Sequence, residues 1–217
     1  MHAIKDLTLS LKSETFTCVI GPSGCGKTTT LRILLGLDQQ FDGQVEFSPK
    51  HTMTAVFQEP RLLPWRTVEQ NVRLALSSTN NAVSLDDLFI ELGLDDVRQF
   101  YPAELSLGMA RRAALARAFA VMPDLLILDE PFVSLDDATA LRLRQLLLSL
   151  WKSTACTALM VTHNVEEAVM LADEVIVLSA RPASQLSKLT LDVPQTERDS
   201  AYIKEMSHKL RQVGLVE

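Results

Sequence analysis

Gly21-Pro22-Ser23-Gly24-Cys25-Gly26-Lys27-Thr28 is the stretch that decides the fold. It matches G-x-x-x-x-G-K-[ST] without a mismatch, between a strand pattern ending in Val19-Ile20 and a helical pattern over 27–35. Glycines let successive backbone N–H groups converge on one anion, and the helix that follows adds its positive end. Lys27 supplies a point charge for the β- and γ-phosphates of a nucleotide, and the Thr28 hydroxyl a ligand for Mg²⁺. Thr29 is within reach of the α-phosphate. Cys25, beside Lys27 at a helix start, is expected to be a reactive thiol whose alkylation blocks the nucleotide. The loop alone leaves the reaction open, because kinases, GTPases, motors and transport ATPases share it.

Working outward, residues 6–11 alternate with Leu7, Leu9 and Leu11 apolar, and 15–20 read as a second strand. Gly36 is placed to end the helix of the loop. Short strands are expected at 44–47 and 54–57. From 60 to 122 helical patterns take over, at about 67–77, 84–93 and 107–121. Apolar strands return at 125–128, 158–161 and 175–178, joined by helices over about 137–151 and 165–172. Alternating short apolar strands and helices predict an α/β domain with a largely parallel sheet and helices on both faces. The helical middle reads as an insertion into it. The stretch 181–217 shows one weak amphipathic pattern: Tyr202, Ile203, Met206, Leu210, Val213.

A second set of residues falls at strand ends. Leu125-Leu126-Ile127-Leu128-Asp129-Glu130 is a buried-strand pattern ending in two carboxylates. In a parallel sheet the C-terminal edge faces the ligand crevice. Neighbouring strand residues point opposite ways, so Asp129 is assigned to the metal and Glu130 to the attacking water as general base. Gln58 follows the strand at 54–57, and its amide can ligate Mg²⁺ or position water. His163 follows the strand at 158–161 and can bond a γ-phosphate. Alternatively it only precedes a helix cap, since Asn164-Val165-Glu166-Glu167 resembles an N-cap with its partner.

Composition narrows the class. The chain has 217 residues, 47% hydrophobic and 22% charged, which suits one globular domain and not a disordered chain. Net charge is 21 − 27 = −6, against nucleic acid as the main partner. The longest apolar runs, as in Ala168-Val169-Met170-Leu171-Ala172, are five residues, far short of the ~20 of a membrane helix. No secretory leader pattern opens the sequence. Cys18, Cys25 and Cys156 form neither a disulfide framework nor a zinc pattern, which fits a reducing cytoplasm.

Together these motifs resemble the ATP-binding subunits of ABC transporters over nearly the whole chain. Residues 21–28 match the Walker A loop, Gln58 the Q-loop, and 125–130 Walker B with its catalytic glutamate. Ser134-Leu135-Asp136 matches the D-loop and His163 the switch histidine. Leu105-Ser106-Leu107-Gly108-Met109 resembles the signature motif, with Leu107 where the first of two glycines is usual. The resemblance implies a P-loop NTPase (RecA-like) core, about 1–59 and 123–180. It also implies a helical subdomain, about 60–122, that touches membrane subunits, and a short tail, 181–217, without a regulatory domain.

It further implies ATP and Mg²⁺ as ligands and a head-to-tail homodimer, with each ATP between one copy's Walker A loop and the other's signature. Ser106 and the Gly108 backbone would then cap the γ-phosphate at the start of an Arg-rich helix (Arg111, Arg112, Arg117), and Asp136 would couple the two sites. An amphipathic packing helix with a solvated basic face is the plainer reading of those arginines. Glu59-Pro60-Arg61-Leu62-Leu63-Pro64-Trp65-Arg66-Thr67-Val68 is similar to importer ATPases for nitrate, sulfonate, taurine and related solutes; Leu62, Leu63 and Trp65 are otherwise core or a generic coupling surface.

The expected function is therefore ATP hydrolysis driving solute import. Its implied partners are integral membrane permease subunits and, indirectly, a solute-binding protein, at the inner face of the cell membrane. Alternatives are a weakly active ABC ATPase or one with a non-transport role. A phosphotransferase would leave 106–109 and the D-loop unexplained. Family members stack an aromatic residue on adenine; here no Tyr or Trp precedes Gly21, leaving Phe16 and His2.

Overall fold

The computed structural model describes residues 3–48, 51–76 and 84–214. In chain order its elements are β1 (Phe16–Ile20), α1 (Lys27–Leu34), β2 (Met53–Val56), α2 (Val68–Arg73), α3 (Leu85–Glu91), α4 (Leu107–Phe119) and β3 (Leu125–Asp129). Then follow α5 (Asp137–Thr154), β4 (Thr157–Thr162), α6 (Val165–Leu171), β5 (Glu174–Leu178), β6 (Gln185–Thr190) and α7 (Ser200–Gly214). They fall into two compact units, Met1–Pro49 with Thr157–Glu217, and Lys50–Cys156.

The first unit is built on β1. Every residue of this strand is buried, and it pairs in parallel with β4 on one side and β5 on the other. Strands covered on both faces read as continuous apolar runs, which is why 15–20, 158–161 and 175–178 carry so strong a signal. β6 adds antiparallel to β5. Helix α6 opens on Asn164, whose side chain accepts from the N–H groups of Glu166 and Glu167 at 3.0 and 3.2 Å. At the other end of α6, buried Arg198 donates to the carbonyls of Val169 and Ala172 at 2.6 and 2.7 Å. Those carbonyls have no partner inside the helix, and the guanidinium supplies one.

The second unit pairs β2 in parallel with β3 and holds α2 to α5. Helix α2 begins with a reciprocal cap between Thr67 and Gln70. Buried Asn71 fastens the turn before it: Leu63 N donates to Asn71 Oδ1 at 2.7 Å, and Nδ2 reaches the carbonyls of Leu63, Arg66 and Thr67. The turn so held presents Trp65, 67% exposed, with Leu62 and Leu63 half-buried beside it.

Five sequence expectations need correction. Residues 6–11 form no strand, although Leu7, Leu9 and Leu11 are half-buried and their neighbours exposed. The alternation is real but finds no ladder; the one bridge in that region joins Ile4 to Ala183. Residues 44–47 form no strand either and are mostly exposed. Conversely β6 lies in the stretch read as nearly patternless: as an edge strand it is mostly exposed, so no apolar run marked it. Strand β2 sits one residue earlier than expected, and the helix expected over 67–77 runs over Val68–Arg73, residue 77 lying outside the described residues.

Candidate functional site

In the first unit, strand register brings two predicted features to one edge. Ile20 of β1 pairs with Thr162 of β4, so the loop that starts at Gly21 and His163 leave adjacent parallel strands at the same level. His163 is exposed there, ahead of the Asn164 cap. The helix cap and the position at the strand edge thus both hold.

The loop itself is shaped by its own groups. Lys27 is only 5% exposed, and Nζ donates to the carbonyls of Gly21 and Pro22 at 2.6 and 2.9 Å. A buried ammonium needs such acceptors. Gly26 has φ 122°, a region that side chains avoid, and a β-carbon there would meet Ala3 O at 3.0 Å and Ile4 Cγ1 at 3.2 Å. Ser23, Gly24 and Thr28 are exposed; Pro22 and Thr29 are half-buried. Cys25 departs from expectation. It is 1% exposed, with Sγ packed under Gly21, and a buried thiol is inert to reagents in water. Phe16 is wholly buried in β1 and offers no face to an adenine, while His2 lies outside the described residues.

The second unit repeats the logic. Val56 of β2 pairs with Leu128 of β3, so Gln58 and the pair Asp129-Glu130 leave parallel neighbours at one edge. Gln58 is exposed, Asp129 buried and Glu130 half-buried, with Glu130 in the left-handed region at φ 44°. Few L-residues with long side chains are found there.

Ser106 caps α4, its hydroxyl accepting from Met109 N at 3.2 Å. Leu107 is the first helical residue and is not among those with positive φ, so its bulk is carried outward without backbone strain; it is 42% exposed. Asp136 caps α5, accepting from Thr139 N at 3.0 Å. Hydrogen bonds from the Thr139 side chain and then its backbone hold the Asp136 carboxyl below the usual carboxylate range.

The arginines of α4 are where sequence reasoning fell short. They do not form a solvated basic face. Arg111 donates to the carbonyls of Pro131 and Val133 at 2.7 and 2.8 Å, after Glu130. Arg117 donates to those of Pro60 and Arg61 at 2.9 and 2.8 Å, after Gln58. Arg112 bonds Leu92 O at 2.9 Å. Burial lowers the pKa of all three, Arg112 also through Arg142. The available signal was their setting within Ala113-Ala114-Leu115-Ala116, where an arginine is buried and must find acceptors.

Comparison with known proteins converges with this geometry. Residues 4–133 match the family described as ABC transporter. An aliphatic sulfonates import ATP-binding protein of Pseudomonas savastanoi pv. phaseolicola is 42% identical over 198 residues, 90% of this chain and 83% of that protein. One of the same name from Streptomyces avermitilis is 40% identical over 212 residues, 98% and 81% of the two chains. The dimeric post-hydrolysis structure of an ATP-binding cassette bound to ADP and Pi superposes with a TM-score of 0.76 at 26% identity, covering 88% of this chain and 92% of that one.

Proposed function

This chain belongs to the ABC transporter family, with the P-loop ATPase α/β fold, and on that premise we propose how it works as the ATP-hydrolysing subunit of an importer. The loop over 21–28 receives the triphosphate. Lys27 exchanges its bonds to Gly21 and Pro22 for β- and γ-phosphate oxygens, a change from neutral to charged acceptors that favours the bound state. Thr28, Gln58 and Asp129 offer a hydroxyl, an amide and a carboxylate. Each is an oxygen donor of the kind Mg²⁺ takes, and by the family resemblance these residues would hold the ion. When bound, Mg²⁺ neutralises charge that develops on the transferred phosphoryl group.

Glu130 takes the proton of the attacking water, Gln58 orients that water, and His163 bonds the γ-phosphate. In a head-to-tail pair of chains Ser106 and the Gly108 N–H of one copy cap the γ-phosphate held by the other, an anion at a helix N-terminus. Asp136 lies at that same junction and links the two sites. ATP favours the closed pair by differential binding, and loss of the γ-phosphate removes that bias. The observation that supports this most is the pair of registers, Ile20 with Thr162 and Val56 with Leu128, which set every predicted strand-end residue at a C-terminal strand edge.

The helical stretch over about 60–122 is the surface that meets the membrane subunits, and the core comprises about 1–59 and 123–180. No helix among the described residues is long and apolar enough to cross a membrane. In the arrangement proposed here the permease is a separate chain, fed by a solute-binding protein, and this subunit works at the inner membrane face. Its relatives carry the name of aliphatic sulfonate import, and a small sulfonate is the solute class proposed here.

Glu130→Gln tests the mechanism. The variant should bind ATP and pair, and its turnover should fall about 10²–10⁴-fold, the range for losing a general base. Wild-type turnover would remove Glu130 from the chemistry. Growth on an alkanesulfonate as sole sulfur source, with and without the gene, tests the solute.

A further inference from the structure

We propose that Arg111 is a positioning residue for hydrolysis: it holds the turn that carries Glu130 and ties that turn to the signature helix. The proposal rests on Glu130 being the base.

The turn needs outside support. Glu130 and Ser134 at its two ends have φ 44° and 64°, both in the left-handed region where an L side chain is strained. Its own backbone bonds are long: Val133 N to Glu130 O and Leu135 N to Phe132 O are both 3.4 Å. Against these, Arg111 makes two short bonds, Nη1 to Pro131 O at 2.7 Å and Nη2 to Val133 O at 2.8 Å, with Glu130 O a further 3.4 Å from Nη1. Arg111 is 4% exposed as a residue and its bond to Pro131 O is buried, so water does not compete for that carbonyl. Its planar fork is what lets one side chain span acceptors two residues apart; an ammonium is a point donor.

Arg111 stands one turn into the helix that Ser106 caps and Leu107 begins, with Gly108 in its first turn. One rigid element therefore carries the group that would cap a partner's γ-phosphate and the group that sets the local base. A base displaced by about 1 Å loses on the order of 10²-fold in rate.

Arg111→Met keeps the apolar stem and removes the donors. The expected result is a kcat for ATP hydrolysis about 10–100-fold lower, with KM for ATP within about twofold. In a Glu130→Gln background the same change should leave the residual rate within about twofold, because both substitutions act through one group. An unchanged kcat, a raised KM at unchanged kcat, or an equal loss in both backgrounds overturns the proposal. If Arg111→Met does not fold, Arg111→Lys carries the test. It should lower kcat about 3–10-fold at constant KM, and a wild-type kcat overturns the proposal. Wild-type turnover by Glu130→Gln alone overturns the base assignment and this inference with it. A slow Glu130→Gln beside a normal Arg111→Met overturns only the positioning role.

Discussion

Gly108 packs so tightly on Thr139 that a β-carbon at Gly108 would stand 2.8 Å from Thr139 Cγ2. Thr139 also donates its backbone N–H to Asp136. The first turn of the signature helix and the cap of the D-loop helix therefore meet at one threonine. Small size, more than flexibility, is what position 108 requires, since Gly108 is not among the positive-φ glycines.

Gly108→Ala should accordingly lower stability by about 1–3 kcal/mol, the cost of an extra methyl in a packed contact. It should also slow ATP turnover. Thr139→Ser removes the clashing methyl and keeps the backbone donor, so the double variant should recover most of both losses. Urea melts and steady-state ATPase rates check this. A double variant as impaired as Gly108→Ala would place the damage elsewhere.

Asp136 gives a pH prediction. Its carboxyl is held below the usual range by the Thr139 side chain and backbone, so its charged form favours the folded chain. That contribution is full above the ordinary carboxylate range, near pH 4, and fades as pH falls through the lower folded value. Asp136→Asn keeps an acceptor at the cap without the titration. The wild type should lose more stability on acidification than the variant, while the two behave alike from pH 6 to 8. Superimposable stability profiles down to pH 3 would contradict this.

The three thiols give a third. Cys18, Cys25 and Cys156 are all buried. Burial pushes the Cys18 thiol well up, with Glu167 adding to the effect, and burial also raises Cys156. A thiol reagent should label the native protein slowly at every site and label all three rapidly in denaturant. Fast native labelling of Cys25, blocked by MgATP, would instead show a loop that opens readily to solvent.

The sequence made the buried strands β1, β3, β4 and β5, and the two carboxylates where β3 ends, plain, because each is a local pattern. Five fully buried residues in β1 need no knowledge of their neighbours. Strand β6 and the false strand over 6–11 fail for the opposite reason: an edge is defined by who pairs with it, which no short window contains. The arginines of α4 show the same limit at the level of function. Arg111 and Arg117 look basic in the sequence, but their acceptors lie 20 and more positions away, and the fold turns charge into a clamp on main-chain carbonyls. Leu107 stands where the resemblance leads one to expect a glycine. As the first residue of α4, and not among the positive-φ positions, it does not need a glycine's conformational freedom.

Behind the phosphate loop, Ala3 and Ile4 close on Gly26, and they are held by Ala183, which exchanges hydrogen bonds with Ala3 and Lys5 at 2.9 and 2.8 Å. Eight consecutive residues spell the motif, but its rear wall is assembled from two distant stretches of chain. The motif is therefore not a transplantable module. A synthetic peptide of residues 16–35 would carry every letter of it and lack the wall against which Gly26 is set, and grafting the loop into another scaffold would mean carrying a counterpart of Ala183 along.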